Sequence, residues 1–284
     1  MPGSVAIAGS GFWSSISHPN LYSDGGLLYV VLNDSVEMHI ILRTAEEIFE
    51  DTVNREVAAQ HLIVAVNGNF YDVSRSGLID AAWGHDPVVA TEATPIGWLV
   101  EGSRLIGGRP APNHFFVANS LGPLFYGFAF GNPPTGLPVR SAIGGAGPLI
   151  IDGLKYGNGN LYRAGASPSA PATGQPSVAD RVNLIQRNNA TYAALAQRPA
   201  ETGKTVIAHC SSQRKLLILV QGNGTSSGIA LDALRDKLFD VGIDNAVFLD
   251  GSDSAMLVHS GTFYVRQGPN KDETNTIGVG FTSI

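Results

Sequence analysis

One cysteine, Cys210, stands among the 284 residues of this chain, so no intrachain disulfide can form and packing must supply the stability. The absence suits a cytosolic or bacterial origin better than a disulfide-stapled secreted one. Charge is scarce too: Asp, Glu, Lys and Arg make up 15% of the chain, against roughly 25% in average soluble proteins. Basic residues are outnumbered 18 to 24, and the net charge of -6 lacks the positive footprint that sequence-independent nucleic-acid binding requires. No apolar run reaches the roughly 18 residues that mark a membrane-spanning helix. Residues 1–8 lack the basic start and long apolar stretch of a secretory leader, so for the chain as given the expectation is a cytoplasmic protein or the mature form of an exported one. Neither a His-x-x-x-His pair nor a cysteine cluster signals zinc.

What the chain has in abundance is glycine, 34 residues, and short apolar runs bounded by turn residues. Residues 27–32 and 37–43 read as strands joined by Asn33-Asp34-Ser35, with Thr44 as a cap for a helical run reaching Gln60. Strand-like runs recur at 96–101, 114–117, 124–130, 148–151, 205–210 and 215–220. A helix is expected over 229–241, with Leu231, Leu234, Leu238 and Val241 at helical spacing and Gly242 as its stop. These elements predict an α+β fold of mixed, largely antiparallel sheets with a few packed helices, in one domain over 1–284. Residues 1–24 form an N-terminal extension. Residues 153–203 have neither periodicity, and loops of that length are lids or linkers. This segment is expected to be a loop-rich insertion over the cleft, with Arg181, Arg187 and Asn188 as candidate substrate contacts or as solvated surface.

Chemistry concentrates where an apolar run ends in a polar, glycine-containing turn. Val247-Phe248-Leu249 leads into Asp250-Gly251-Ser252-Asp253-Ser254 and then into the apolar stretch 255–258, so two carboxylates and two hydroxyls leave one tight loop. Such a loop is either an ordinary hairpin turn or a site. A second run, residues 62–66, ends in Asn67-Gly68-Asn69-Phe70-Tyr71-Asp72, and a third segment, Arg140-Ser141-Ala142-Ile143-Gly144, carries a cation into a glycine-rich segment followed by the strand-like run at 148–151. In their order and spacing these segments resemble the phosphodiester glycosidase family, with its Asn-Gly-Gly-Phe-Phe-like turn, Arg-x-Ala-Ile-Gly-like segment and Leu-Asp-Gly-Gly-Gly-Ser-like turn. The resemblance spans roughly residues 25 to 284. Three departures stand out: Ser252 and Asp253 replace glycines, Lys204 replaces an Arg, and Gln221 replaces an acidic residue.

The resemblance implies a hydrolase that cleaves the sugar C1–O bond of glycosyl-phosphate diesters through an oxocarbenium-like transition state. Asp250, after a buried strand, is the first candidate to attack C1 or activate water, and Asp253 the second; if a divalent cation such as Mg²⁺ or Ca²⁺ is used, these two would hold it. Arg140 and Lys204 are candidates to stabilise the leaving phosphate, with a structural ion pair as the other role for Arg140. Asn67, Gly68 and Asn69 would contact sugar or phosphate, joined by Gly144, Gly251, Ser252 and Ser254. Asp72 is a third acid or a turn cap, and His209 a substrate contact or a structural histidine. The expected partner is a glycan or sugar phosphate. Two other readings keep the fold: a glycoside hydrolase acting on a polysaccharide, and a sugar-phosphate binding module without turnover.

Overall fold

The computed structural model describes residues 1–17, 20–44, 47–68, 71–73, 93–95, 99–107, 115–120, 126–130, 139–155, 200–269 and 277–282, with backbone alone at 71–73, 93–95, 107, 115–120, 126–130 and 145–148. In chain order the elements are β1 (Gly3–Ser4), β2 (Asn20–Asp24), β3 (Leu27–Asn33), β4 (Glu37–Leu42), helix α1 (Phe49–Gln60), β5 (Val64–Asn67), β6 (Tyr71–Val73), β7 (Ala93–Pro95), β8 (Leu99–Glu101) and β9 (Arg104–Gly107). They continue with β10 (Phe115–Ser120), β11 (Tyr126–Phe130), β12 (Val139–Ile151), β13 (Leu154–Lys155), β14 (Lys204–Cys210), β15 (Lys215–Gln221), helix α2 (Leu231–Asp240), β16 (Asn245–Phe248), β17 (Leu257–His259), β18 (Thr262–Val265) and β19 (Ile277–Thr282). The larger sheet orders its main path β1-β2-β3-β15-β14-β16-β12-β10-β11, and the smaller runs β18-β17-β5-β19-β4. Apart from the parallel β1–β2 contact, the pairings are antiparallel.

Alternation along the central strands explains the layering. In β3, Val30 and Leu32 join a core shared with Val64, Val66, Leu257, Val279 and Phe281 of the smaller sheet. Their neighbours Tyr29 and Val31 point the other way, into a core closed by Leu234 and Leu238 of α2 and by Ile7 and Phe12. The same switch separates Leu216, Ile218 and Val220 from Leu217 and Leu219 in β15. On the outer face of the smaller sheet, Ile41, Ala65, Met256 and Val258 pack on Phe49 and Val53 of α1. The layers therefore run helix, sheet, sheet, helix. A strand covered on both faces has no polar side, which is why these strands read as unbroken apolar runs.

The α+β expectation holds, with differences at the edges. Helix α1 starts at Phe49 behind Ile48 rather than at Thr44, whose carbonyl instead accepts the Glu47 amide at 3.4 Å. Helix α2 ends at Asp240, where Gly242 (φ +87°) supplies the left-handed turn and donates to the Phe239 carbonyl at 3.0 Å. Residues 1–24 contribute β2, and the buried Ile7 and Phe12 close the core beneath α2; Trp13 Nε1 donates to the Val241 carbonyl at 2.6 Å. Of the long insertion, 156–199 lies outside the described residues, Arg181, Arg187 and Asn188 included. Among the described residues no helix is long and apolar enough to cross a membrane.

Because Ile218 and Leu219 face different buried layers, Ile218→Ala and Leu219→Ala are each expected to lower the unfolding free energy by about 2–5 kcal/mol in urea titrations. A loss below about 0.5 kcal/mol for either would mean that its face meets solvent and would contradict the layering.

Candidate active site

The site is built where β16 runs out. The Leu249 amide still donates to the Thr205 carbonyl of β14 at 2.8 Å, but at Asp250 the chain leaves that ladder and its amide turns to the Gly68 carbonyl at 3.1 Å. The Gly251 amide donates to Asp250 Oδ1 at 2.9 Å, so one carboxylate oxygen shapes its own turn. A short 3₁₀ turn over Ser252–Ser254 follows, closed by the Ser254 amide on the Gly251 carbonyl at 3.0 Å. Ser252 sits at φ +56°, left-handed backbone that disfavours a side chain.

Two glycines let this turn press against the start of β14. The Ser252 amide donates to the Gly203 carbonyl at 2.8 Å, and a Cβ on Gly203 would lie 2.0 Å from the Ser252 carbonyl oxygen. A Cβ on Gly251 would meet the Gly203 carbonyl at 2.5 Å. Gly68 is pinned in the same manner: its amide donates to the Ile277 carbonyl at 2.8 Å, and a Cβ there would lie 2.6 Å from the Ile277 side chain.

Asn67 ties these pieces together. Buried at the end of β5, its Nδ2 donates to the Asp250 carbonyl at 2.7 Å, while its Oδ1 accepts from Thr205 Oγ1 at 2.5 Å and from the Met256 amide at 3.0 Å. One amide thus joins β5 of the smaller sheet, β14 of the larger, and both ends of the Asp250 turn. Thr205 was not singled out in the sequence. A threonine in an apolar strand reads as β-propensity, and only the fold reveals its hydroxyl pointing at Asn67.

Lys204 and Gln221, two of the departures from the family pattern, face each other across β14 and β15. Both donate to the same two carbonyls: Lys204 Nζ to Ala200 and Thr202 at 2.8 and 2.5 Å, Gln221 Nε2 to the same pair at 2.6 and 2.9 Å. Gln221 Oε1 in turn accepts from the Ile229 amide at 2.8 Å, just ahead of α2. The two substitutions therefore fall at one place, where they hold the loop that presents Gly203 to the turn.

Two cavities flank the Asp250 turn. A pocket of about 120 Å³ is lined by Asp250, Gly251, Ser252, Lys204, Thr205 and Leu231. On the other side, a cleft of about 670 Å³ takes in Ser252 and Asp253 together with Asn223, Thr225, Tyr264 and Arg266. Asp250 and Asp253 line different cavities, and among the described residues no three His, Cys, Asp or Glu side chains gather as metal ligands.

The fold assembles Asn67, Gly68, Lys204, Gly251, Ser252, Asp253 and Ser254 around Asp250 at one pole of the sheets. His209 lies toward the other pole, and Arg140 is engaged by a neighbouring strand. Arg140 pairs with Glu37, at the end of β4 matched with Thr282, whereas Asn67 is matched with Gly278 near the opposite end of β19. His209 stands at the far end of β14 from Lys204, with Nε2 3.4 Å from Asp34 Oδ2 and Nδ1 3.4 Å from Ser211 Oγ. Each of the two is thus engaged by neighbouring side chains. Gly144 is buried in β12 opposite Phe116 of β10. Asn69 and the side chain of Asp72 fall outside the described residues, although the backbone places Asp72 on β6, opposite Thr94, rather than in a turn.

A family model for phosphodiester glycosidases matches residues 60–282, and the chain belongs to that family. Among solved structures, the catalytic domain of zebrafish N-acetylglucosamine-1-phosphodiester alpha-N-acetylglucosaminidase, auto-inhibited by its pro-peptide, is similar over 91% of this chain and 76% of its own, with a TM-score of 0.55 at 17% identity. A putative exported protein from Burkholderia pseudomallei K96243 is similar over 90% and 73%, with a TM-score of 0.50 at 12% identity. At these identities the likeness is one of fold. A search of the curated proteins finds no match.

Removing the Asn67 side chain would strand the Asp250 carbonyl, the Met256 amide and the Thr205 hydroxyl at once. Asn67→Ala is expected to cost about 2–4 kcal/mol in chemical denaturation and Thr205→Val about 1–2, each buried group left unpaired contributing roughly 1–3 kcal/mol. The pair should be strongly non-additive in a double-mutant cycle. Additive losses would show that the two side chains do not act as one unit.

Proposed function

We propose that this protein is a hydrolase that cleaves the C1–O bond between a sugar and a phosphodiester, with N-acetylglucosamine 1-phosphodiesters as the reference substrates. The observation that carries the reading is the Asp250 carboxylate: partly exposed at the end of a buried strand, on backbone fixed from both sides, and in one pocket with the buried Lys204.

In such a reaction positive charge develops at C1 and the ring oxygen while negative charge moves onto the departing phosphate. Asp250 either attacks C1, giving a glycosyl ester that water later opens, or takes a proton from the water that attacks C1. Either route consumes one water and yields the free sugar and a phosphate monoester. The monoester is a weak base and leaves without a proton. It gains instead from positive potential, and the Lys204 ammonium, held among backbone carbonyls away from bulk water, supplies a poorly screened field.

The test is release of free sugar from an N-acetylglucosamine 1-phosphodiester by wild type and Asp250→Asn, each with Mg²⁺ or Ca²⁺ added or a chelator present. Asparagine keeps an acceptor for the Gly251 amide, so the variant should fold, with release lower by about 10²–10⁴-fold. Unchanged release in Asp250→Asn would remove this residue from the chemistry, and no release by wild type across a panel of sugars would sink the reading. Loss of release on chelation alone would show that a divalent cation takes part.

One observation favours a second reading, cleavage of an ordinary glycosidic bond: both cations expected to receive a phosphate are already engaged by the protein, Arg140 by Glu37 and Lys204 by two carbonyls. An alcohol leaving group needs a general acid, so the rate on a polysaccharide would fall at high pH with that acid's pKa. A phosphodiester rate flat over the same range separates the two.

A further inference from the structure

Gln221 is fully buried at the end of β15, and its carboxamide is used to capacity. Its Nε2 donates to the Ala200 and Thr202 carbonyls at 2.6 and 2.9 Å, and its Oε1 accepts the Ile229 amide at 2.8 Å. Two acceptors and one donor thus face this position. A primary carboxamide matches that set, whereas a carboxylate, which only accepts, does not.

The segments it ties together belong to two walls of the Asp250 pocket. Thr202, Gly203 and Lys204 line one wall, and Leu231, the first residue of α2, lines another. Helix α2 has no side-chain cap at Ala230, so the bond from the Ile229 amide to Gln221 is a polar tie just ahead of its first turn. Gly228 lets the two segments close on each other, since a Cβ there would lie 2.3 Å from the Ala200 carbonyl oxygen and 2.7 Å from Gln221 Nε2. From the 200–202 loop the constraint reaches the Asp250 turn through backbone. The Gly203 carbonyl accepts the Ser252 amide at 2.8 Å, and it packs against Gly251, whose own amide donates to Asp250 Oδ1. A displacement of Thr202 is thereby passed to the backbone that orients the Asp250 carboxylate.

We infer that Gln221 is a positioning residue for the reaction at Asp250: from outside the pocket it fixes the 200–202 loop against the start of α2 and, through Gly203, fixes the turn that carries the carboxylate. The inference rests on the proposed function for the identity of the reaction, and on the contacts alone for the tie. Misplacing a reacting group by about 1 Å costs about 10²-fold in rate, so a side chain that never meets the substrate still governs turnover.

The experiment compares wild type with Gln221→Glu and Gln221→Met by thermal melting, by ¹⁵N NMR of the Gly203, Ile229, Gly251 and Ser252 amides, and by kcat and KM for sugar release from an N-acetylglucosamine 1-phosphodiester. Ionised glutamate keeps the acceptor for Ile229 but loses both donors, and it draws the Lys204 ammonium, its cross-strand neighbour, away from the same two carbonyls. The Gly203, Gly251 and Ser252 signals should therefore move in both variants, and the Ile229 signal most in Gln221→Met. At a temperature where each variant is folded, kcat should fall by about 10²-fold with KM changed by less than about threefold. Should Gln221→Met not fold, Gln221→Glu, which retains the side-chain volume and one of the three bonds, carries the test. A role confined to stability would lower the melting temperature and leave kcat and the Gly251 and Ser252 signals of the folded variant at wild-type values, and that result would overturn the inference. So would a raised KM with kcat intact. Because the amide signals need no turnover, a wild type that releases no sugar would sink the hydrolase while the signals still decide the tie. Active wild type with unmoved Gly251 and Ser252 signals in the folded variants would do the reverse.

Discussion

The Asn67 carboxamide is the constraint on which the site depends. Each of its polar atoms is committed to a different segment, and all of those segments are buried or nearly so, where an unpaired carbonyl or amide is costly. A shift of either sheet relative to the other by a fraction of a hydrogen-bond length would break at least one of these contacts. The amide therefore converts the packing of two sheets, which apolar side chains alone specify loosely, into a fixed position for the Asp250 backbone. Gly68, Gly203 and Gly251 add a steric limit, since backbone meets backbone where a methyl group would not fit.

This arrangement also explains how an irregular polar turn survives beside an apolar core. The strands that lead to it are covered on both faces and leave their polar groups only at the ends. At one end lie Asp250 and its surroundings; at the other, the contact between His209 and Asp34 closes the fold. Polar side chains gather at strand ends as a consequence of two-sided burial, because the middle of such a strand has no room for them.

Much of this was legible in the sequence, for reasons that particular residues make plain. The runs at 27–32, 205–210 and 215–220 announced strands because strands shielded on both faces must be apolar throughout. The Asn67 and Asp250 turns were visible because polar residues and glycine interrupt such runs abruptly. Where along its strand a residue falls was not visible: His209 has the chemistry of a site and belongs to β14, which reaches the Asp250 turn, yet it stands at the end of that strand away from Lys204. The strand over Val139–Ile151 was read only in its last part, since Gly144-Gly145-Ala146-Gly147-Pro148 has the composition of a loop. There the neighbours β10 and β16 impose extension that local propensity would not. Neither Thr205 nor the shared role of Lys204 and Gln221 could be inferred without the register of β14 against β15 and β16.

The place of β19 in the smaller sheet has a consequence for biosynthesis. This strand lies between β5 and β4, yet it follows every other element along the chain. As the polypeptide emerges from the ribosome, β4 and β5 must wait with their facing edges unpaired until residues 277–282 arrive. Long-range pairing of this kind is slow and leaves intermediates exposed to wrong partners. Gly68, whose amide meets the Ile277 carbonyl, is among the groups kept waiting. The turn that carries Asp250 is thus fixed only once β19 is in place, so its shape is set after much of the hydrophobic core upstream can already have formed.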